Sequence, residues 1–471
     1  MAQRYFSVHG HFYQPPRDDP FSGEIPQEVG AHPFNNWNEK ILSQCYQPNA
    51  ELGNFLRISF DFGPSLFGWM EKHHPQTYHT ILSQEKQVYK KYGVSNAMAH
   101  PYHHVILPLV GTRDKITQVK WGIHDYQLRF GHPPQGMWLP ETAVDFDTMQ
   151  VLSENDIDFT ILAPWQTYQQ PMDISHPYRV NLAHGKSLTI FFSEGYLSHD
   201  LSFNPPASED ADRFVEHSLL PAFHFLQRNH QHADLIMVAS DGELYGHHQP
   251  EREYFLQRLF TFSLLHNDVQ STFPALWLQE NEPAQSVAVR ENTSWSCHHG
   301  IERWRTTCPD GPDSTWKAPL LKGFQQLAEM IDISFEENAQ ALGIDAWQMR
   351  DDYSQVLLGV EPVDAFIQQH SPKELSTQEK NRIALLLQAQ CERLRMFTSD
   401  VWFFENLDRI ESRNGLMYAA HAAHLCKTAN RWEDEHFAEV VNTLSGAQDQ
   451  ENQFNTAEFF KKLLHSAAKP R

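Results

Sequence analysis

Two acidic side chains stand out by type and setting: Glu141, in Met137-Trp138-Leu139-Pro140-Glu141, and Asp241, in Val238-Ala239-Ser240-Asp241-Gly242-Glu243. Each directly follows a short apolar run, although a hundred residues of chain separate 141 from 241. Cleaving a glycosidic bond requires such a pair, one carboxylate to stabilise or capture an oxocarbenium-like carbon and one carboxylic acid to protonate the departing oxygen. A lone acid at a strand end is more often a helix cap or an ion-pair partner. Pro140 before Glu141, and Gly242 and Gly246 after Asp241, favour shaped loops with close approach over ordinary caps.

Histidine offers a second chemistry. His100-Pro101-Tyr102-His103-His104 spaces His100 and His104 so that two imidazoles can share one cation, with Asp61 as a third ligand. This resembles the zinc triad of polysaccharide deacetylases, in which the metal would activate water for amide or ester hydrolysis. The same side chains hydrogen-bond sugar hydroxyls without a metal, and a deacetylase would leave Glu141 and Asp241 idle, so no metal or cofactor is expected. Cys297 and Cys308 flank His298, His299 and Trp304, but their spacing fits no compact zinc finger and they read as buried thiols. Trp138, Trp165 and Trp295 are candidates for stacking on sugar rings, whereas Trp402-Phe403-Phe404 reads as core.

Seven β-branched or aromatic runs must position these groups: 4–8, 56–60, 96–99, 136–139, 159–162, 188–192 and 235–239. Helix-period stretches separate them, the pattern of a parallel α/β architecture. The polar residues gather after the runs: His9 and His11, then Asp61, His100, Glu141, Trp165, Glu194 and Asp241. Loops that follow the strands of a β/α barrel share one face, so residues distant in sequence converge there. A barrel of about seven strands over 1–305 is therefore expected. Beyond it the pattern turns to amphipathic helices at 316–342, 375–397, 415–428 and 456–467, predicting a helical bundle over 306–471 packed on the barrel, with Gly415 marking a break. The Pro- and Asp-rich segment Cys308–Asp313 is the nearest thing to a boundary.

Composition narrows the partners. The chain has 471 residues, 41% hydrophobic and 20% charged, which is the profile of a folded protein. Its 37 Lys and Arg against 59 Asp and Glu give a net charge of −22, so neither nucleic acid nor an anionic membrane is an expected partner. Five cysteines form an odd, sparse set that fits a reducing compartment. The opening MAQRYFSVHGHF lacks an export pattern, and no apolar run is long enough to span a bilayer, so a cytoplasmic location is expected. With 12% aromatic residues and 28 His, the chain is rich in groups that suit carbohydrate.

Taken in order, these motifs resemble glycoside hydrolase family 57, whose members act on α-glucans. Trp138-Leu139-Pro140-Glu141 is similar to the family's nucleophile motif and Ser240-Asp241-Gly242-Glu243 to the motif whose Asp is the acid/base. His11-Phe12-Tyr13-Gln14-Pro15 resembles an N-terminal His-x-His-Gln-Pro motif, with Tyr13 where the family has a second His. Ser59–Gly63 and Asn292–Gly300 match two further motifs. The resemblance implies an incomplete (β/α)7 barrel and a retaining mechanism, with Glu141 as nucleophile and Asp241 as acid/base. His11, Gln14, Asp61, His100, His104, Trp138, Trp165, Glu243, His248, Trp295 and His299 would surround an α-linked glucan such as glycogen, starch or a maltooligosaccharide. Glu243 is also placed to supply a like charge that keeps Asp241 protonated. Hydrolysis and transfer to another sugar remain equally open. The alternatives are the metal-dependent deacetylase and a glucan-binding protein without catalysis.

Overall fold

The computed structural model describes residues 3–227, 234–309, 311–449 and 454–466. Asp310, in the expected boundary segment, and Ala467, at the end of the last expected helix, lie outside them. The chain forms two compact units, the first from Met1–Gln14, Gln27–Tyr102 and Tyr126–Ser296, the second from Pro15–Pro26, His103–Asp125 and Cys297–Arg471. The expected division at 305/306 is linear, whereas these contacts assign two early segments to the second unit.

The first unit is built on a parallel sheet. Strand β1 (Arg4–Phe12) runs between β2 (Ser59–Phe62) and β7 (Asp234–Asp241), and β2 pairs with β3 (Ala97–Met98). Parallel bridges Ala99↔Met137 and Gly136↔Phe159 continue the ladder to β4 (Phe159–Leu162), which pairs parallel with β6 (Ser187–Phe192). The Glu194 amide, just past β6, donates to the Met237 carbonyl of β7 at 2.6 Å. Strands β2 and β4 are buried at every position, as parallel strands covered on both faces must be. Side chains of β3, β4, β6 and β7 meet with Trp138 in a core that includes Met98, Phe159, Ile161, Phe191, Leu235 and Met237.

Six of the seven expected runs overlap strands. The seventh, 136–139, makes only the two bridges, because Pro140 and a left-handed turn at Glu141 end its extended backbone at once. Among the described residues of this unit, two strands were not anticipated. The edge strand β5 (Tyr178–Asn181) pairs antiparallel with β6, and β8 (Val269–Ser271) lies beside the first three residues of β1.

The second unit is helical, with long helices at Lys317–Ala341, Thr377–Arg395, Ile410–Asn430 and Thr456–Ser466. Ser376 opens the second through a capping box with Glu379, which satisfies two otherwise orphaned amides. Gly415 does not mark a break. It lies inside the helix Ile410–Asn430, where a Cβ would fall 2.5 Å from Cγ2 of Val401, so it is small for close packing. Trp402 is core, 5.6 Å from Phe324. No helix among the described residues is long and apolar enough to cross a membrane.

A charged knot fixes the interior of this unit. Arg350, fully buried, bonds Oδ1 of Asp114 at 3.0 Å and Oε1 of Gln390 at 3.0 Å, while Arg393 bonds the other oxygen of Asp114 and Oδ2 of Asp332. Burial alone would raise the Asp114 pKa, but the two guanidinium groups outweigh it and hold the carboxyl below its ordinary range. Removing one member strands the others in low dielectric, at a cost of about 3–5 kcal/mol. Asp114→Ala is thus expected to weaken the unit by that amount in urea unfolding followed by helical circular dichroism, and a loss below about 1 kcal/mol would show that Arg350 finds water.

Candidate active site

The carboxyl ends of the parallel strands assemble the site. The β1–β2 register sets His11 opposite Asp61, and the β1–β7 register sets His11 opposite Asp241. Asp61, wholly buried, takes Nε2 of His9 at 3.1 Å and Nδ1 of His11 at 2.9 Å. A carboxylate only accepts, so both ring nitrogens carry protons, and Nδ1 of His9 then accepts from the Ser59 hydroxyl at 2.9 Å. His100 donates from Nδ1 to the Pro101 carbonyl at 2.6 Å. Burial pushes the His11 pKa down to about 4, against the opposing pull of Asp241, and that of His100 to about 4 as well. Burial raises Asp61, with the His9 bond opposing it. At neutral pH the imidazoles are uncharged, with tautomers set by their partners, which suits them to hydroxyl groups rather than anions.

The rings are layered. His11 stacks 5.7 Å from His100, 5.3 Å from Trp138 and 6.0 Å from Tyr13, all within 23° of parallel. Trp138 is fully buried, and its ring supports His9, His11 and Trp295 from within the core instead of facing solvent. Trp295 is partly exposed, and Trp165 is 37% exposed with Nε1 donating to the Ser294 carbonyl at 3.0 Å.

Glu141 sits on a strained turn. Its φ is 56° and that of Thr142 is 50°, left-handed values that cost an L residue about 1–2 kcal/mol each. The turn is held from outside: the Trp295 amide donates to the Glu141 carbonyl at 3.0 Å, and buried Gln166 exchanges bonds of 2.8 Å with the Thr142 hydroxyl and carbonyl. Nε1 of Trp295 and Oγ of Ser296 both donate to Oε2 of Glu141, at 3.0 and 2.5 Å. The carboxylate is thereby aimed by two donors from a distant loop.

Asp241 ends β7 and is exposed, whereas Glu243 two residues on is buried. Gly242 between them is small by necessity, since a Cβ there would lie 2.3 Å from the Phe12 ring. Oε1 of Glu243 accepts from the Tyr46 hydroxyl at 2.6 Å and the Tyr13 amide at 3.1 Å. Burial pushes its pKa up to about 8, the Tyr46 bond opposing and Asp241 adding to the rise. With Oε1 accepting twice, the proton belongs on Oε2. Burial thus favours the neutral form of Glu243, which weakens the like charge it was expected to set beside Asp241.

The remaining expected residues are placed as follows. Gln14 is half-buried just beyond β1, its carbonyl accepting from Ser65 Oγ at 3.2 Å. His248 is exposed, its amide bonded to the Glu243 carbonyl at 2.9 Å. His104 and His299 belong to the second unit, where His104 bonds Ser399 Oγ at 2.6 Å and His299 lies 3.6 Å from the Cys308 sulfur. Asp61, the expected third ligand, is engaged by His9 and His11, and Nδ1 of His104 by Ser399. Sequence reasoning missed three contributors. Ser296 stands within a motif already recognised, but nothing in the sequence marks Tyr46 or Gln166.

Comparison with known proteins adds an independent line. The family model "Glycosyl hydrolase family 57" matches residues 6–287, and "Domain of unknown function (DUF3536)" matches 313–468. Alpha-amylase 1 of Dictyoglomus thermophilum is 25% identical over 158 residues, 34% of this chain. The matched stretch spans only about a fifth (21%) of that relative's length. Among solved structures, an exo-type maltose-forming amylase from Pyrococcus sp. ST04 superposes with a TM-score of 0.76 at 16% identity, covering 98% of this chain and 89% of its own. A branching enzyme from Pyrococcus horikoshii gives 0.64 at 14% identity, covering 97% and 96%. At these identities the likeness is one of fold.

The raised pKa of Glu243 has a measurable consequence. Between its ordinary value near 4.5 and about 8, the folded chain holds a proton that the unfolded chain has released, so stability falls with rising pH across that window. Between about pH 5 and 7.5 the wild type should lose stability at up to about 1.4 kcal/mol per pH unit, the slope fading above about 8, and Glu243→Gln should flatten it. Equal slopes in urea unfolding of the two proteins would place the proton elsewhere.

Proposed function

We propose that this chain, which belongs to glycosyl hydrolase family 57, cleaves α-linked glucans with retention of configuration, passing the glycosyl group to water or to another sugar. The observation that carries the reading is Glu141, held in left-handed backbone with Oε2 fixed by Trp295 and Ser296. Strain of this kind persists only where surrounding structure enforces it, and it clusters at reacting groups.

In this reading the parallel ladder β1-β2-β3, the 136–137 bridges, β4-β6 and β7 is an incomplete (β/α)7 barrel, which brings Glu141 and Asp241 to one rim. Glu141 attacks the anomeric carbon while Asp241 gives its proton to the leaving oxygen, producing a glycosyl-enzyme ester. Asp241 then removes a proton from the incoming hydroxyl, which displaces Glu141 and restores both groups. The neutral His11 and His100 bind sugar hydroxyls, and the ring of Trp295 offers a stacking face. Amylases and a branching enzyme share the fold, which supports α-glucan as the substrate class and leaves the acceptor to the loops.

Turnover of amylose, glycogen and maltooligosaccharides, with products scored separately for shortening, disproportionation and branching, tests this. Glu141→Gln should lower kcat by at least about a thousandfold. Asp241→Asn should lower it by about 10²–10⁴-fold on glucans, and far less on an aryl glycoside whose leaving group needs no proton. Full activity of Glu141→Gln would end the assignment.

A further inference from the structure

Cys297 and Cys308 do not fit a compact zinc finger by spacing, yet the fold brings them together with His299. The two sulfurs lie 3.8 Å apart, and Nδ1 of His299 is 3.6 Å from the Cys308 sulfur. All three ligand atoms fall within 4.8 Å of one another, and both thiols are buried while His299 is exposed.

The two measured separations are those of ligands on one tetrahedral metal. With Zn–S bonds of about 2.3 Å and a tetrahedral angle, two sulfurs on one zinc are about 3.8 Å apart. With a Zn–N bond of about 2.05 Å, sulfur and nitrogen are about 3.6 Å apart. The backbone is shaped to match. Cys297 opens a tight turn, with the Gly300 amide bonded to its carbonyl at 3.1 Å, and the Gly311 amide bonds the Cys308 carbonyl at 2.9 Å. The backbone amides of His299 and Arg303 also face the Cys297 sulfur, opposing the burial that holds its thiol above the ordinary range. Such donors orient the sulfur.

We propose that Cys297, His299 and Cys308 bind a zinc ion, with water in the fourth position. Two thiolates and a neutral imidazole balance the dication, so the ion and its ligands carry no net charge. Binding displaces the two thiol protons into solution and closes the Cys297–Cys308 loop, converting metal affinity into stability of that segment. Cys297 directly follows Ser296, so the metal pins the chain one residue beyond the Ser296 bond to Glu141.

The full-length chain, purified in reductant without chelator, should contain about one zinc by elemental analysis and release protons on reloading with Zn²⁺. Co²⁺ should give the strong visible bands of a tetrahedral thiolate site. Cys308→Ser should lose the metal, and His299→Asn, an exposed change that the fold tolerates, should weaken Zn²⁺ binding at least about tenfold against a chromophoric chelator. Zinc should also protect two thiols from alkylation in the wild type. No uptake by the reduced wild type, undiminished zinc in His299→Asn, weak octahedral cobalt bands, or a Cys297–Cys308 disulfide in the purified protein would each overturn the assignment.

Discussion

The turn at Glu141 is the constraint on which the rest of the site depends. Two consecutive left-handed residues cost about 2–4 kcal/mol together, and a net hydrogen bond returns about 0.5–1.5 kcal/mol. The surrounding structure supplies enough of them. Gln166 satisfies all four of its polar positions, accepting from the Ala163 amide and Thr142 hydroxyl and donating to the Thr142 and Thr293 carbonyls. The bridge Val144↔Thr293 and the Trp295 amide complete the clamp. The loop that aims the carboxylate is thus the one that permits its backbone, which joins the orientation of Glu141 to the integrity of 292–296.

Opposite this clamp, the His9-Asp61-His11 cluster works by exclusion of water. Burial makes a charged imidazole expensive, so the rings stay neutral and the hydrogen-bond pattern is written in their tautomers. The stack of His11 on Trp138, His100 and Tyr13 then fixes the ring planes. Trp138 contributes as a buried support, a role distinct from the sugar contact that its motif suggests.

Local patterning carried most of the fold. Apolar runs bounded by polar residues marked six strands within a few residues, because a strand buried on both faces must be apolar throughout. The long helices of the C-terminal region were equally plain from their period. Gly415 misled because glycine serves both helix ends and close packing, and only the neighbour at Val401 separates the two. The short strands β5 and β8 carried no signal of their own, since three or four residues gain their extended form from the strand beside them.

Residue types and order alone marked Glu141 and Asp241, the motif histidines and aromatics, and the family. Those features are local, because a motif needs only its neighbours along the chain to be recognised. The tertiary structure decided the protonation of Glu243, the tautomers of His9 and His11, the clamp on Glu141 and the meeting of Cys297 with Cys308. Each of these depends on burial or on a partner far away in the chain, and both quantities exist only once the backbone has closed around them.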